Sequence, residues 1–136
     1  MSVQTVRDAM VPEPTMLEGS ASAQEAGRLL AENPEVRAIL VCDAGGVLVG
    51  VITRKTLVRE VVATGLDPTA VRLDAIAEPP IYTLDAGLPL DEAFHTLEEH
   101  DFERVPVVEQ GRLVGVLSRA VVQRRLAEDE PPEPED

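Results

Sequence analysis

Apolar residues along the chain follow a helical spacing in two separate segments. One segment has four apolar or small residues at positions i, i+3, i+4 and i+7: Ala23, Ala26, Gly27 and Leu30. The other repeats this spacing with Leu90, Ala93, Phe94 and Leu97. Ser22 and Glu25 supply the Ser-x-x-Glu pattern of a helix start, and Pro34 disfavours helical geometry in Asn33, where the first helix should end. The spacing therefore predicts two helices, each with one buried face.

Two short apolar runs follow each predicted helix. In the first half they are VRAILVC and VLVGVI, separated by a turn at 43–46 that contains two glycines. In the second half they are RVPVV and LVGVL, separated by a turn at 109–112. Short runs rich in Val and Ile and joined by glycine turns indicate hairpin strands. We predict a further helix after each hairpin, at 54–63 and 119–127.

The elements occur twice because the chain contains an internal repeat. The stretch VGVITRKTLVREVV at 49–62 returns as VGVLSRAVVQRRLA at 114–127, an offset of 65. Upstream, residues 37–41 lie over 104–108 at an offset of 67, and the small slips fall between elements, where loops tolerate insertions. A fixed period of this kind indicates two copies of one structural unit.

Each copy consists of an extended, proline-containing segment followed by helix, strand, strand and helix. We assign the copies to residues 1–63 and 71–127, joined by a linker at 64–70 with Gly and Asp-Pro punctuation. Residues 128–136 are acidic and proline-rich, which predicts a disordered tail. A copy of roughly 60 residues with two or three strands has a poor core alone, so we expect the two copies to pack face to face. The predicted fold class is α/β, in an α+β arrangement.

Charge and composition exclude several classes of partner. The 136 residues carry a net charge of −13, and aromatic residues make up only 2 % of the chain. The chain therefore lacks the basic stripe and the stacking rings that nucleic-acid binding requires. An acidic protein is also repelled by anionic membrane surfaces. No apolar run reaches transmembrane length and the start has no signal-peptide pattern, so we expect a cytoplasmic protein that binds neither nucleic acid nor membrane.

Other candidate chemistry is weak. Glu92-x-x-His95 resembles half of a helical di-metal motif, but the first copy has Glu25 and Arg28 at the equivalent positions, so we interpret it as a solvated helix face. Cys42, the single cysteine, lies in an apolar strand without a nearby histidine, which is typical of a buried, inert thiol in a reducing compartment. We expect neither catalysis nor a required cofactor or metal, because no acid–base pair, activated nucleophile or ligand cluster emerges.

The order of elements, the Gly-hydrophobic-hydrophobic-Thr/Ser sequence before each second helix and the hydrophobic-Pro-Val-Val strand resemble the CBS domain, named after cystathionine beta-synthase. Two copies in tandem are similar to a CBS pair, or Bateman module, over about residues 1–127. The resemblance implies two repeats, each a short mixed sheet with two helices, packed as a pseudo-two-fold pair that often dimerises. It also implies clefts between the repeats that bind AMP, ADP, ATP or S-adenosylmethionine and so regulate another protein.

In the family, each cleft combines the extended segment and Pro-Val strand of one copy with the Gly-h-h-Thr/Ser-x-x-Asp of the other. The Asp accepts hydrogen bonds from the ribose hydroxyls, but Thr56 and Val121 occupy the two equivalent positions here. Because the Val121 side chain cannot hydrogen-bond, we expect the better cleft to be the one that contains Thr56. Its candidate ligand-binding residues are Ile52, Thr53, Arg54, Thr56, Ile81, Thr83, Arg104, Val105 and Pro106. The weaker cleft would use Ile39, Leu117, Ser118 and Arg119.

Two functions remain open at this point. One is a homodimeric sensor that binds an adenine nucleotide through Thr53, Thr56 and Arg104, with Arg54 and Arg104 as the phosphate ligands, and signals to a separate partner protein. The other is a dimeric interaction scaffold whose clefts no longer bind ligand, which the missing Asp in both copies suggests. Thr53 and Ser118 would cap the helices that follow them in either case.

Overall fold

The computed structural model describes residues 4–12, 14–80 and 82–129. Within these residues the helices are α1 (Val6–Ala9), α2 (Ala23–Glu32), α3 (Arg54–Leu57), α4 (Leu73–Ile76), α5 (Leu90–Glu99) and α6 (Arg119–Asp129). A π-helical segment, Val58–Val62, continues α3. The strands are β1 (Met16–Glu18), β2 (Ala38–Cys42), β3 (Leu48–Thr53), β4 (Leu84–Asp85), β5 (Arg104–Glu109) and β6 (Arg112–Ser118). The mixed α/β fold expected from the sequence is confirmed.

The helix predictions hold in position and in buried face. The Ser22 hydroxyl accepts a hydrogen bond from the Glu25 amide at 3.1 Å, and α2 ends before Asn33, its C-cap. In α5 the buried residues are Leu90, Ala93 and Leu97, and Phe94 is half-buried. The last helix, α6, runs to Asp129, two residues beyond its predicted end, and the rest of the predicted tail lies outside the described residues. None of the described helices combines the length and the apolar character that crossing a membrane requires.

Both sheets have three strands and the same connectivity, in the orders β1-β2-β3 and β4-β5-β6. β2 and β3 form the predicted antiparallel hairpin, with Ile39 opposite Ile52. The first strand of each sheet runs parallel to the second, with Met16 opposite Leu40 in one and Leu84 beside β5 in the other. The strands β1 and β4 and the helices α1 and α4 were not predicted, because two to four residues are too few to show a periodicity.

The described residues divide into two compact units that do not follow chain order. We call them the α5 unit, with residues 4–12, 82–109 and 114–129, and the α2 unit, with residues 14–80 and 110–113. The first segment of the chain therefore packs with the hairpin of the second copy, whereas α4 packs with the hairpin of the first. Each unit has its own apolar core.

The segments that follow α1 and α4 each extend a sheet by a short backbone pairing. Val51 in β3 exchanges two hydrogen bonds with Glu78, at 2.7 and 3.0 Å. Val116 in β6 does the same with Val11, at 2.9 and 3.1 Å. The residue before each of these valines is a glycine, which explains why the Val-Gly-Val pattern occurs in both copies: a side chain there would meet the approaching segment.

Core positions show a one-residue shift between the copies. Ile39 and Val41 of β2 lie in the core of the α2 unit, and Val105 and Val107 of β5 lie in the core of the α5 unit. Equivalent strand positions are therefore 66 residues apart. The sequence match at 67, which pairs Ile39 with Pro106, is wrong by one residue. The reason is that the loop after α5 is one residue shorter than the loop after α2.

Candidate functional site

Three of the candidate ligand-binding residues share the outer face of the sheet β4-β5-β6. Core-facing and outward-facing residues alternate along β5, and the core-facing pair is Val105 and Val107. Arg104 and Pro106 therefore lie on the opposite, outward face. Leu84 pairs with Val107, so the preceding residue, Thr83, lies beside Pro106. The structure thus brings a guanidinium, a hydroxyl and a proline ring to one surface.

Arg104 is the charged group of this surface. It is exposed, and its side chain forms no hydrogen bond or ion pair with any other described residue. Several other arginines are paired with carboxylates: Arg7 with Glu109, Arg59 with Glu78 and Arg72 with Asp74. An unpaired guanidinium presents five N–H donors in a planar fork that matches phosphate oxygens. Arg104 is therefore suited to bind an anionic group on this face.

Thr53 and Thr56 form a capping box at the start of α3. Each hydroxyl accepts a hydrogen bond from the other residue's backbone amide at 3.2 Å, and the two hydroxyl oxygens are 3.0 Å apart. Thr56 is completely buried, whereas Thr53 is half-buried. The capping role expected for Thr53 is therefore present, and the Thr56 hydroxyl is committed to the protein's own backbone.

The Arg54 guanidinium closes the loop that follows α2. It donates hydrogen bonds to the carbonyl oxygens of Leu30 and Val36, both at 2.7 Å, with longer contacts to those of Asn33 and Pro34. Carbonyls at a helix C-terminus lack intrahelical partners and carry the negative end of the helix dipole, so a cation stabilises them. The structure therefore gives Arg54 a stabilising role within the α2 unit.

The equivalent arginine of the second copy, Arg119, has a similar role with different partners. Its guanidinium binds the carboxylates of Asp101, at 3.1 Å, and Glu103. Its backbone amide also donates to the Glu103 carbonyl, at 2.9 Å. Ser118, the last residue of β6, is half-buried.

Several candidate side chains are core residues. Ile39, Ile52, Val105 and Leu117 are no more than 2 % exposed and belong to the two apolar cores. Aliphatic side chains in these positions contribute to packing, and only their backbone groups are available for polar contacts. Ile81 lies outside the described residues.

The interpretations of Cys42 and of the Glu92–His95 pair agree with the structure. Cys42 is buried, and burial, with a smaller effect of the neighbouring Asp43, raises the pKa of its thiol. A raised pKa disfavours the reactive thiolate. Glu92 and His95 are exposed on α5. Within the described ranges, no group of three or more His, Cys, Asp and Glu side chains is placed to hold a metal ion.

The sequence interpretation overlooked an apolar groove between α2 and α3, with a volume of about 580 Å³. On the α2 side the groove is lined by the small residues Ala23, Gly27 and Ala31, together with Gln24 and Arg28. Larger side chains line the other wall: Leu57, Val61, Val62 and Leu66. Val62 and Leu66 also form the exposed edge of this wall together with Val58, at 70 %, 50 % and 57 % exposure, and we call this edge the valine ridge. Three aliphatic residues spaced four apart were the signal that could have revealed this surface.

This chain is similar in sequence and in structure to known proteins. Hypoxic response protein 1 of Mycobacterium tuberculosis is 32 % identical over 124 residues, which cover 91 % of this chain and 86 % of that protein. A crystal structure of Hypoxic Response Protein I with two coordinated zinc ions is similar with a TM-score of 0.74 and 30 % identity, covering 90 % of this chain and 98 % of that one.

A second similar structure contains a nucleotide. CBSX2, a CBS-pair protein of Arabidopsis thaliana, in complex with AMP has a TM-score of 0.70 and 27 % identity, with 91 % of this chain and 96 % of that chain covered. The CBS domain family matches residues 6–63 and 73–128 of this chain. The chain therefore belongs to the CBS domain family and carries two CBS domains in tandem.

Proposed function

We propose that this CBS pair binds an adenosine-containing ligand, AMP, ADP, ATP or S-adenosylmethionine, and signals its presence to a separate partner protein. The observation that carries the proposal is Arg104, an exposed guanidinium without a partner among the described residues, beside Thr83 and Pro106. A phosphate could accept bidentate hydrogen bonds from it. We place the protein in the cytoplasm, where a free thiol such as Cys42 stays reduced.

The likeness to CBSX2 supports an adenine nucleotide as the ligand class, since that protein forms a complex with AMP. Arg54 and Thr56 have partners within the protein, so the proposed ligand depends on Arg104 and Thr83 for its polar contacts. Thr53 keeps its capping role in the ligand-bound protein. The proposed ligand site contains no group suited to acid–base or nucleophilic chemistry, so its role is sensing and not catalysis.

Replacing Arg104 with glutamine should weaken nucleotide binding at least tenfold, because the variant loses a charge-assisted hydrogen-bond donor. Titration calorimetry with AMP, ADP, ATP and S-adenosylmethionine measures the effect, with the wild-type chain tested first. Arg124→Gln is the matched control, since Arg124 is also exposed but lies on α6. The control variant should bind with wild-type affinity.

The alternative function is a scaffold whose surfaces bind protein but no nucleotide. The burial of Thr56 favours it, because the hydroxyl at the position of the ribose-binding Asp is 0 % exposed and accepts a hydrogen bond from the Thr53 amide within the capping box. Absence of binding to all four ligands at millimolar concentration would support the scaffold. If Arg104→Gln binds nucleotide as strongly as the wild type, Arg104 does not contact the ligand.

We also propose that the chain forms a homodimer through the α2–α3 groove and the valine ridge. Exposed aliphatic side chains next to an apolar groove are typical of interaction sites. Groove and ridge lie side by side in the α2 unit, so a two-fold axis places the ridge of each copy in the groove of the other. The small residues of α2, such as Gly27, provide the space for the incoming Val62 side chain.

Size-exclusion chromatography with light scattering should give a mass of twice 14.7 kDa for the wild-type chain. Val62→Arg should give a monomer, because a guanidinium would be buried in a largely apolar interface beside Arg28, which also lines the groove. Val49→Arg is the matched control: Val49 is also an exposed valine, at 43 %, but lies on β3 outside the groove. A wild-type monomer, or a Val62→Arg dimer, would contradict this interface.

A further inference from the structure

Three rings form one cluster in the α5 unit. The ring centroids of Tyr82 and His100 are 5.8 Å apart, those of His100 and Phe102 are 5.4 Å apart, and those of Tyr82 and Phe102 are 5.8 Å apart. Phe102 packs against the apolar core, whereas Tyr82 is 41 % exposed and His100 is exposed. The cluster therefore has an anchored ring and two rings whose faces or edges reach solvent. It contains two of the chain's three Phe and Tyr residues and one of its two histidines.

The end of α5 holds this cluster in place. Phe102 donates its amide to the Leu97 carbonyl at 2.9 Å, and Asp101 donates to the Glu98 carbonyl at 3.2 Å. This pair of bonds is the Schellman motif, and Asp101 occupies its left-handed position with φ 54°. Glycine usually occupies this position, because a side chain with positive φ is strained. The motif reverses the chain so that Phe102 lies against His100, the C-cap residue.

The first copy of the repeat shows that the fold does not require these rings. Asn33 is the C-cap of α2 as His100 is the C-cap of α5, and the Asn33 side chain donates to the Leu29 carbonyl at 2.8 Å. Val36 packs against the core of its unit as Phe102 does. Leu17 pairs with Val41 as Leu84 pairs with Val107, so Thr15, two residues before Leu17, corresponds to Tyr82. The same architecture therefore forms with an amide, an aliphatic group and a hydroxyl at these three positions.

Four carboxylates lie next to the cluster in the chain: Glu98, Glu99, Asp101 and Glu103. Glu98 and Glu99 are exposed in the last turn of α5, which has no basic residue, and neither forms an ion pair with another described residue. Acidic groups at a helix C-terminus add to the negative end of the helix dipole, an unfavourable placement for stability alone. Asp101 and Glu103 are nearby but are paired with Arg119. Glu98 and Glu99, which precede His100 in the chain, therefore carry the uncompensated negative charge at the end of α5.

We infer that the Tyr82–His100–Phe102 cluster and the end of α5 form a docking surface for an arginine-bearing segment of a partner protein. A guanidinium stacks on aromatic faces and at the same time binds carboxylates in a planar fork, and this surface offers both. The surface gives the partner protein of the proposed function a place to bind. It requires no nucleotide, so the two proposals are tested separately.

Tyr82 itself reports on binding, because the chain contains one tyrosine and no tryptophan. The probe is an acetylated and amidated Gly-Arg-Gly-Arg-Gly peptide, titrated without nucleotide at low salt. We expect a saturable change in tyrosine emission with a dissociation constant below about 1 mM. The same peptide with citrulline in place of arginine keeps the planar group without its charge, and it should give no saturable change.

Variants separate this surface from general attraction to an acidic protein. Glu98→Gln with Glu99→Gln should weaken peptide binding at least fivefold, whereas Glu32→Gln with Glu35→Gln, which removes the same charge from the α2 unit, should leave it unchanged. Tyr82→Thr introduces the residue of the first copy and should abolish binding measured by calorimetry, with its unchanged circular dichroism confirming the fold. Equal effects of the two double variants, saturation by the citrulline peptide, or tighter binding of tetramethylammonium than of the peptide would overturn the inference.

Discussion

Replacing Gly50 with alanine should lower the free energy of unfolding by about 3 kcal/mol, the upper end of the range for overpacking in a rigid site. A Cβ atom at this position would lie 2.6 Å from the Ala77 Cβ and 2.9 Å from the Glu78 carbonyl oxygen. Neither atom is at the end of a flexible side chain, so the backbone pairing of Val51 with Glu78 must shift. For a chain of this length, the loss corresponds to a decrease in Tm of roughly 10 °C.

Thermal and urea unfolding of the variant and of a matched control measure this effect. Gly45→Ala is the control, because its Cβ would meet only the Asp43 Oδ1 atom, at 3.4 Å, an ordinary van der Waals distance. This variant should change the free energy of unfolding by less than about 0.5 kcal/mol. A loss of less than about 1 kcal/mol in Gly50→Ala would mean that the segment after α4 is not held tightly against β3.

The equivalent Gly115 in β6 should be less sensitive to the same substitution. Its Cβ would lie 2.8 Å from the Met10 Sδ atom and 2.8 Å from the Val11 carbonyl oxygen. The Met10 thioether belongs to a flexible side chain that can move aside, so only the contact with the carbonyl must be relieved by backbone movement. A smaller loss of stability in Gly115→Ala than in Gly50→Ala would therefore show that the Met10 side chain moves aside, whereas the segment after α4 cannot.

Replacing Arg54 with methionine should lower the free energy of unfolding by about 1–2 kcal/mol, somewhat below the range for buried hydrogen bonds to charged groups because Arg54 is partly in solvent. The methionine side chain is similarly long and unbranched, but it has no hydrogen-bond donor. The carbonyls of Leu30 and Val36 then lose partners at 2.7 Å. Denaturant unfolding measures the loss, and the loop after α2 should become more susceptible to proteolysis.

This variant also tests the division of roles between the two candidate arginines. Arg54→Met should bind nucleotide as well as the wild type, because phosphate binding is proposed for Arg104. Lys55→Met is the matched control: it removes an adjacent exposed cation that has no side-chain partner among the described residues, and its stability should change by less than about 0.5 kcal/mol. Unchanged stability together with weaker nucleotide binding would show that Arg54 contacts the ligand instead.

Much of the architecture could be predicted from local patterns. The spacing of Leu90, Ala93 and Leu97 identified α5, and the glycine turns identified both hairpins, because helix and strand periodicities are expressed within a few residues. The cap formed by Ser22 was predicted for the same reason. The short strands and the short helices were missed because elements of two to four residues carry no period.

The candidate site was predicted less well than the fold. The sequence placed Arg54 and Arg104 together as phosphate ligands, but their surroundings differ: one guanidinium binds carbonyls 18 or more residues away, and the other is unpaired among the described residues. The sequence also treated Thr56 as a replacement for a ligand-binding Asp, whereas it completes a buried capping box. Residue type alone does not distinguish a side chain that stabilises the fold from one that is free to bind.

The sequence by itself determined that this protein is a tandem repeat with two helices and a hairpin in each copy, since these features depend on neighbours close in the chain. Only the tertiary structure decided that residues 4–12 pack with the second hairpin. It also decided that Tyr82, His100 and Phe102 form one cluster, and that Arg104 lies on an open face. Each of these outcomes depends on contacts between residues far apart in sequence, and local propensity carries no information about which distant segments meet.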